Sequence, residues 1–298
     1  MIAGFGALNL DKIYMVDKIP GKDEEGYVID VELHPGGSAA NTVAGLAEFG
    51  VKTSFIGKIG SDEEGKALLR DFLKRGVDTS GIISAEGRSG VAMIFVDSNG
   101  NRAILVDPGV NDTISLSEVN MEVVEGAKLV HMTSFICKNG LESFRSQMEV
   151  VRKAENVSFD PGMPYVERGL KEIEPILRNT TIFMPNRMEI ELLFGTDYKE
   201  ASSQALDMGV EIVAVKLGGE GCYVTDGKIE RMVKAFKANP VDTTGAGDAF
   251  NAGFIYAWHK DLSLEECARI GNFVAGKLIE RVGARSYDGI RPEDASST

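Results

Sequence analysis

The chain has few cysteines and few histidines for its length. Three of each occur among 298 residues, and no two cysteines form a Cys-x-x-Cys pair. The three cysteines are Cys137, Cys222 and Cys267. An odd and scattered set indicates free thiols rather than a disulfide framework, and isolated histidines do not supply the clustered ligands of a zinc site. These absences exclude a disulfide scaffold and a zinc domain.

Positive charge and long apolar runs are also scarce. The chain has 32 Lys and Arg against 45 Asp and Glu, a net charge of −13, which argues against a nucleic-acid or anionic-membrane partner. No apolar run reaches the roughly 20 residues of a membrane helix, and residues 1–6 lack the basic start of a signal peptide. With an ordinary 43% of hydrophobic residues, we expect a cytoplasmic globular protein.

Short strand-like runs alternate with helix-like runs. The strand-like runs are residues 2–6, 53–59, 128–133, 156–160, 181–185 and 211–217. The helix-like runs are residues 38–49, 62–75, 141–154 and 188–194. This alternation predicts a mostly parallel sheet with helices on both faces. In such a sheet, ligands bind in the crevice at the carboxyl ends of the strands.

Two regions break the alternation. Residues 26–33 alternate apolar and polar positions, and residues 90–96 and 102–106 flank an Asn-Gly turn typical of a hairpin. They predict a small β-sheet that projects from a single domain over residues 1–298, with its strands at about 12–35 and 88–107. An exposed sheet edge can pair with a second copy, so a homodimer through this sheet is among the expected partners.

Residues 239–254 concentrate the chemistry. They read Asn-Pro-Val-Asp-Thr-Thr-Gly-Ala-Gly-Asp-Ala-Phe-Asn-Ala-Gly-Phe. Gly245, Ala246 and Gly247 predict a helix start whose free backbone N–H groups suit a phosphate. Asp248 follows, and with the reference pKa of about 3.9 it is ionised at neutral pH. A base beside an anion hole is what phosphoryl transfer to a hydroxyl requires, although a turn before an acidic first helical turn explains the segment equally well when taken alone.

This segment resembles the C-terminal signature of the ribokinase-like (PfkB) carbohydrate kinases. The N-terminal signature is also present as Gly-Gly-Ser-Ala-Ala-Asn at residues 36–41 and Gly-Lys-Ile-Gly-Ser-Asp-Glu-Glu-Gly at 57–65. The resemblance runs over about residues 2–286. It implies an α/β three-layer sandwich with a central mostly parallel sheet and a small β-sheet lid. It further implies transfer of the γ-phosphoryl group of ATP to a primary hydroxyl of a sugar, with Mg²⁺.

The resemblance also implies roles for individual residues. The implied catalytic residues are Asp248, Gly245, Ala246 and Gly247. The residues implied to bind the sugar are Asn9, Asp11, Gly37 and Asn41. The residues implied to bind the nucleotide are Asn186, Lys216, Gly218, Gly221 and Asn272. Glu189 is implied to bind Mg²⁺ through water. A monovalent cation such as K⁺ is implied to bind to Asp242 and Thr244 together with the loop 281–286.

Several readings stay open. Asn186 and Glu189 have the spacing of a helix capping box, which explains them without a ligand. The segment Ser-Ala-Ala at residues 38–40 departs from typical ribokinases, which argues against plain ribose and leaves fructose, a keto-deoxy sugar acid or a nucleoside. A nucleoside kinase acting on the ribose 5′-hydroxyl is the alternative. The side chains considered as cover for its base are Met93, Phe95, His131 and Phe135.

Two further classes are disfavoured. A non-catalytic binder of nucleotide or sugar with a kinase fold would not need Asp248 and Glu189. A dinucleotide oxidoreductase would need a third glycine in G-x-G-x-x-G, where Asn9 stands.

Overall fold

The computed structural model describes residues 1–297. Its larger sheet has nine strands, which are β1 (Ile2–Phe5), β4 (Thr53–Gly60), β5 (Asp78–Ala85), β8 (Leu129–Thr133), β9 (Val157–Asp160), β10 (Ile182–Phe183), β11 (Ile212–Lys216), β12 (Cys222–Thr225) and β13 (Glu230–Val233). Their order is β13-β12-β11-β10-β9-β8-β1-β4-β5. In this spatial order, the seven strands β11, β10, β9, β8, β1, β4 and β5 are parallel to one another. The strands β12 and β13 at one edge are antiparallel to their neighbours.

Helices cover both faces of this sheet. They are α1 (Ser38–Glu48), α2 (Glu63–Lys74), α3 (Met121–Glu125), α4 (Glu142–Val150), α5 (Gly162–Val166), α6 (Leu170–Leu177), α7 (Arg187–Phe194), α8 (Tyr198–Asp207), α9 (Ala246–His259) and α10 (Leu264–Leu278). Successive side chains of a strand point to opposite faces. Ile2 therefore packs in one core with Phe254 of α9, and Ala3 packs in another with Ile190 of α7.

The smaller sheet has four strands and is called the lid below. Its strands are β2 (Asn9–Val16), β3 (Val28–Gly36), β6 (Gly90–Asp97) and β7 (Arg102–Asp107), in the order β3-β2-β6-β7. The β2–β6 pair is parallel and the other two pairs are antiparallel. Because Asn9 lies opposite Gly36, the base of the lid meets the start of α1.

The layout brings several chain segments to one edge of the larger sheet. Asp160 ends β9 and Lys216 ends β11, at the carboxyl edge of parallel strands where α/β proteins bind ligands.

No helix within residues 1–297 combines the length and apolar character needed to cross a membrane.

Candidate active site

The N-terminus of α9 has the tight turn that the sequence predicts. Gly245 has φ 77°, and a Cβ atom there would lie 2.6 Å from the Cβ of Ala284, so only glycine fits. The sequence predicted a free N–H group at Ala246, but this group donates to the carbonyl of Thr243 over 3.2 Å. The N–H groups of Gly245 and Gly247 make no hydrogen bond to any residue in 1–297. Two of the three predicted donors are therefore available.

Asp248 lies in the first turn of α9 and borders a cavity. Its Oδ2 accepts a hydrogen bond of 2.8 Å from the Nδ2 of Asn41. Burial raises the pKa of Asp248 to about 7, the hydrogen bond from Asn41 opposes the rise, and the charge of Asp160 adds to it. The expectation of an ordinary carboxyl pKa was therefore wrong, because it took no account of the surrounding protein.

The cavity beside Asp248 has a volume of about 340 Å³, and most of its lining residues are polar or charged; it is called the polar cavity below. Lys216 Nζ lies 2.5 Å from Asp160 Oδ2, which also accepts a hydrogen bond of 2.7 Å from Asn251. Asp160 was missed in the sequence, although an Asp-Pro-Gly step at the end of a buried strand is a recognisable signal at a ligand-binding edge. Lys216 is therefore held in place with its charge toward the cavity.

Asn186 and Glu189 line the same cavity and form a capping box at the start of α7. The N–H of Asn186 donates to Glu189 Oε2 over 2.8 Å, and the N–H of Glu189 donates to Asn186 Oδ1 over 2.9 Å. Burial and the charge of Asp160 raise the pKa of Glu189, against the charge of Lys216. The capping interpretation is confirmed, and the other carboxylate oxygen of Glu189, Oε1, makes no hydrogen bond to a residue in 1–297.

A second cavity of about 620 Å³ lies against α9, α10 and the chain after β13. Gly221 and Asn272 line it, as does the ring of Phe250. Asn272 donates its amide protons to the carbonyls of residues 233 and 234, so the side chain holds the cavity wall. Its largely apolar lining suits a flat aromatic ring.

The two cavities are adjacent. Lys216, Gly218 and Gly247 border both of them. A ligand with an apolar ring at one end and charged groups at the other can therefore lie across both cavities, with its charged end beside α9.

The residues predicted for the sugar lie at the base of the lid. Gly37 has φ 100°, and a Cβ atom there would lie 2.2 Å from the carbonyl oxygen of Ala7, so this position requires glycine. Asn9 Oδ1 accepts a hydrogen bond of 2.9 Å from Asn111, which fixes the first residue of β2. Asn41 bonds to Asp248 and thereby lies between the lid base and α9.

Asp11 is the charged group of this region. Burial raises its pKa to about 6, and the positive charges of Arg285, His34 and Arg102 oppose the rise. His34 lies directly opposite Asp11 in the β2–β3 pair, so both side chains share one face of the lid. Arg285, like Asp160, was not identified as a site residue from the sequence.

Asp242 and Thr244 belong to the turn before α9. Asp242 Oδ1 accepts from the N–H of Thr244 over 2.9 Å, and its Oδ2 accepts from the N–H of Gly283 over 3.0 Å. The carboxylate thus joins this turn to the loop that follows α10. The two segments implied to hold a monovalent cation are in contact.

The side chains considered as cover for a nucleoside base do not gather at the site. His131 and Phe135 are fully buried in the core, where His131 Nδ1 lies 2.8 Å from a serine hydroxyl of β9. Ala92 lies opposite Asp11 in the β2–β6 pair, so Met93 and Phe95 both point to the other face of the lid from Asp11. Phe95 stacks on Tyr14 there. That part of the nucleoside hypothesis was wrong.

Comparisons with known proteins agree with this geometry. The family model described as pfkB family carbohydrate kinase matches residues 1–288. An uncharacterized sugar kinase from Archaeoglobus fulgidus is 60% identical over 241 residues, which cover 81% of this chain and 96% of that protein. An ATP-dependent ribose-1-phosphate kinase from Halopiger xanaduensis is 33% identical over 282 residues, which cover 94% of this chain and 92% of that protein.

A solved structure has the same architecture. The ribokinase of Thermotoga maritima superimposes with a TM-score of 0.89 at 28% identity, over 99% of this chain and 98% of the ribokinase. The predicted three-layer sandwich with a lid is confirmed by this superposition.

Proposed function

The chain belongs to the pfkB family of carbohydrate kinases, and from this premise we propose that Asp248 is the general base of its reaction. The protein is an ATP-dependent kinase that transfers the γ-phosphoryl group to a hydroxyl of a sugar or sugar-like acceptor. The acceptor oxygen bonds to the γ-phosphorus while the bond from that phosphorus to the β–γ bridging oxygen breaks. Asp248 takes the proton that the acceptor hydroxyl gives up.

One observation carries this proposal. The two cavities meet beside the N-terminus of α9, where Lys216, Gly218 and Gly247 border both and Asp248 borders the polar one. The apolar cavity suits the adenine and the polar cavity suits the phosphates. The N–H groups of Gly245 and Gly247 point their partial positive charge at the transferring group, where negative charge is spread over three oxygens.

A Mg²⁺ ion fits the polar cavity. Asp160, Glu189 and Asp248 line this cavity, and a Mg²⁺ ion that keeps most of its waters would bind there chiefly through the nucleotide phosphates. Glu189, with one carboxylate oxygen committed to the capping box, would hold it through water. The ion supplies charge neutralisation of the phosphates when it is bound.

We also propose a monovalent cation beside Asp242 and Thr244. The contact between Asp242 and Gly283 joins the two loops, and a cation held there would stiffen the turn that begins α9. Activity should rise when K⁺ replaces choline at constant ionic strength. Equal activity in both salts would remove this cation from the account.

For the acceptor, we propose a sugar that carries a phosphate group. The relative from Halopiger xanaduensis is named a ribose-1-phosphate kinase. In this chain, Arg102 and His34 lie close enough to Asp11 for their charges to lower its pKa against burial. The guanidinium of Arg102, a residue of β7, makes no hydrogen bond or ion pair with another residue in 1–297. A cation without an ion-pair partner near a partly buried carboxylate suits an acceptor with hydroxyls at one end and an anion at the other.

The experiment is an acceptor screen with ATP and Mg²⁺ that covers ribose 1-phosphate, ribose, fructose, sugar acids and nucleosides. We expect the highest kcat/KM for the phosphorylated pentose. The variant Arg102→Gln should raise KM for it about tenfold or more and leave neutral acceptors unchanged. A neutral sugar as the best acceptor would contradict the phosphate, and no turnover with any acceptor would contradict the kinase assignment.

We propose a homodimer, formed through the face of the lid that carries Leu33 and Leu105, as the assembled form. Leu33 and Leu105 are 58% and 59% exposed, and they lie in one row across the sheet with Lys12 and Met93. A second copy would cover this apolar face. Leu33→Glu should convert the dimer to a monomer in light scattering, whereas Leu192→Glu, at a 60% exposed leucine of α7, should not.

A further inference from the structure

Arg285, in the loop after α10, contacts the ends of several elements around the site. We propose that Arg285 is a positioning residue that fixes the side-chain amide of Asn41 so that it donates to Asp248, and that ties this arrangement to the end of lid strand β3. The inference rests on the proposed role of Asp248 as the general base.

The contacts of Arg285 are close and specific. It is 7% exposed. Its Nε donates to Asn41 Oδ1 over 2.8 Å, and its Nη2 donates to the carbonyl of Gly36 over 2.8 Å. Its Nη1 lies 2.5 Å from Asp71 Oδ2 in α2. One guanidinium therefore joins α1, α2 and the last residue of β3.

The chemistry of the guanidinium decides which way the amide points. An arginine side chain has five N–H donors and no acceptor, so the atom of Asn41 that faces Arg285 must be the oxygen. The NH₂ group of Asn41 is then left to face Asp248, to which it donates over 2.8 Å. The reversed amide would place two donors together at Arg285 and two acceptors together at Asp248. Arg285 therefore makes Asn41 a permanent donor to the base.

The guanidinium is itself held from α2. Beyond the ion pair with Asp71, it lies over the ring of Phe72 at 5.2 Å, a favourable contact for a planar cation. Arg75 donates to the backbone carbonyl of Arg285 over 3.4 Å. The contacts from one helix thus fix both the side chain and the backbone.

The bond to Gly36 connects this arrangement with the lid. Gly36 ends β3 and lies opposite Asn9, the first residue of β2. A shift of these strands moves the carbonyl that holds Arg285. The alignment of the donor to Asp248 therefore depends on the position of the lid base.

The charges around Asp248 set the direction of the expected effect. Asp160 at the end of β9 and Glu189 in α7 are acidic, and Lys216 at the end of β11 and Arg285 are basic. The hydrogen bond from Asn41 and the charge of Arg285 both favour the ionised carboxylate. Loss of Arg285 removes the charge and frees the amide to reverse, so the base becomes harder to ionise.

The test is the pH profile of Arg285→Gln. We expect the acidic limb of kcat to move to higher pH, with kcat at pH 7 about tenfold lower and largely recovered at pH 9, and with KM for ATP within about twofold of the wild type. Arg285→Lys, which keeps the charge but not the fork of donors, should shift the limb by an intermediate amount. The lysine variant also decides the matter if the glutamine variant does not fold.

Arg70→Gln is the matched control. Arg70 lies exposed on α2, and its side chain makes no hydrogen bond or ion pair with another residue in 1–297, so the acidic limb should stay in place. If the role of Arg285 were purely structural, its substitution would lower the melting temperature and would lower the activity by the same factor at every pH. Arg285→Gln and Arg285→Lys with unshifted limbs would overturn the proposal, whereas normal turnover of Asp248→Asn would overturn the proposed function instead.

Discussion

The side-chain amide of Asn41 donates a hydrogen bond of 2.8 Å to the carboxylate of Asp248, from a position 207 residues earlier in the chain. Asn41 lies in the first turn of α1 and Asp248 in the first turn of α9. The two sequence signatures of the family therefore meet at one hydrogen bond. The positive ends of two helices and the base of the lid come together around one carboxyl.

Replacing Asp248 by Asn should abolish most turnover. The amide has nearly the shape of the carboxyl but cannot take a proton, so we expect kcat to fall by at least about 10²-fold. KM for ATP should stay within about twofold, because the nucleotide cavity is unchanged. Steady-state kinetics with the best acceptor measure both quantities. A variant with near-normal kcat would show that another group serves as the base.

The activity should depend on pH near neutrality. The pKa of Asp248 is raised to about 7 by burial; below that pH the carboxyl is protonated and cannot accept the hydroxyl proton. We therefore expect kcat/KM to fall as pH decreases from 8 to 6, with one acidic limb. A profile that stayed flat down to pH 5 would contradict the raised pKa.

The same pKa predicts the pH dependence of stability. A carboxyl whose pKa is raised in the folded state binds its proton more tightly there than in the unfolded chain. Its contribution is most favourable below the unfolded pKa of 3.8, and it declines as pH rises through the folded pKa of about 7. Asp248→Asn, which carries no charge, should melt about 2 °C or more above the wild type at pH 8 and approach it at low pH. Calorimetry of both proteins at several pH values would measure this difference, and its absence at pH 8 would contradict the raised pKa.

Replacing Gly36 by Ala should disturb the acceptor site rather than the fold. A Cβ atom at Gly36 would lie 2.4 Å from Oδ2 of Asp11, so the carboxylate must move. We expect KM for the acceptor to rise about tenfold or more. The control Gly21→Ala lies in the loop between β2 and β3, where the new Cβ atom meets its nearest neighbour, Glu24, at 3.8 Å. Equal KM values for the two variants would remove Asp11 from the acceptor site.

Replacing Glu189 by Gln should weaken the use of Mg²⁺. The amide keeps the size of the side chain but loses the charge that would hold the ion through water. We expect the Mg²⁺ concentration for half-maximal activity to rise about tenfold. Glu191→Gln lies on the same helix and should leave it unchanged. An unaltered Mg²⁺ dependence in both variants would assign Glu189 to helix capping alone.

Much of the fold follows from the sequence because its strands are short, apolar and buried. The runs predicted at residues 53–59 and 211–217 correspond to β4 and β11. The strand β5 was missed because Asp78, Thr79 and Ser80 give its beginning a polar character, as befits an edge strand that is partly exposed. Edge strands bury less surface, so their periodicity is weaker.

The local geometry was predictable where neighbouring residues determine it, as at the turn from Gly245 to Asp248. The site was not predictable where distant residues decide the chemistry. Asp160 becomes a site residue through Lys216, and Arg285 through Asn41. The raised pKa of Asp248 likewise depends on burial by other segments, which no local pattern records.

The most direct test of this account is a crystal structure of the protein with a non-hydrolysable ATP analogue and Mg²⁺. The account predicts adenine in the cavity beside Asn272, and the γ-phosphate within hydrogen-bond distance of the N–H groups of Gly245 and Gly247, beside the carboxylate of Asp248. A γ-phosphate directed away from the start of α9 would contradict it.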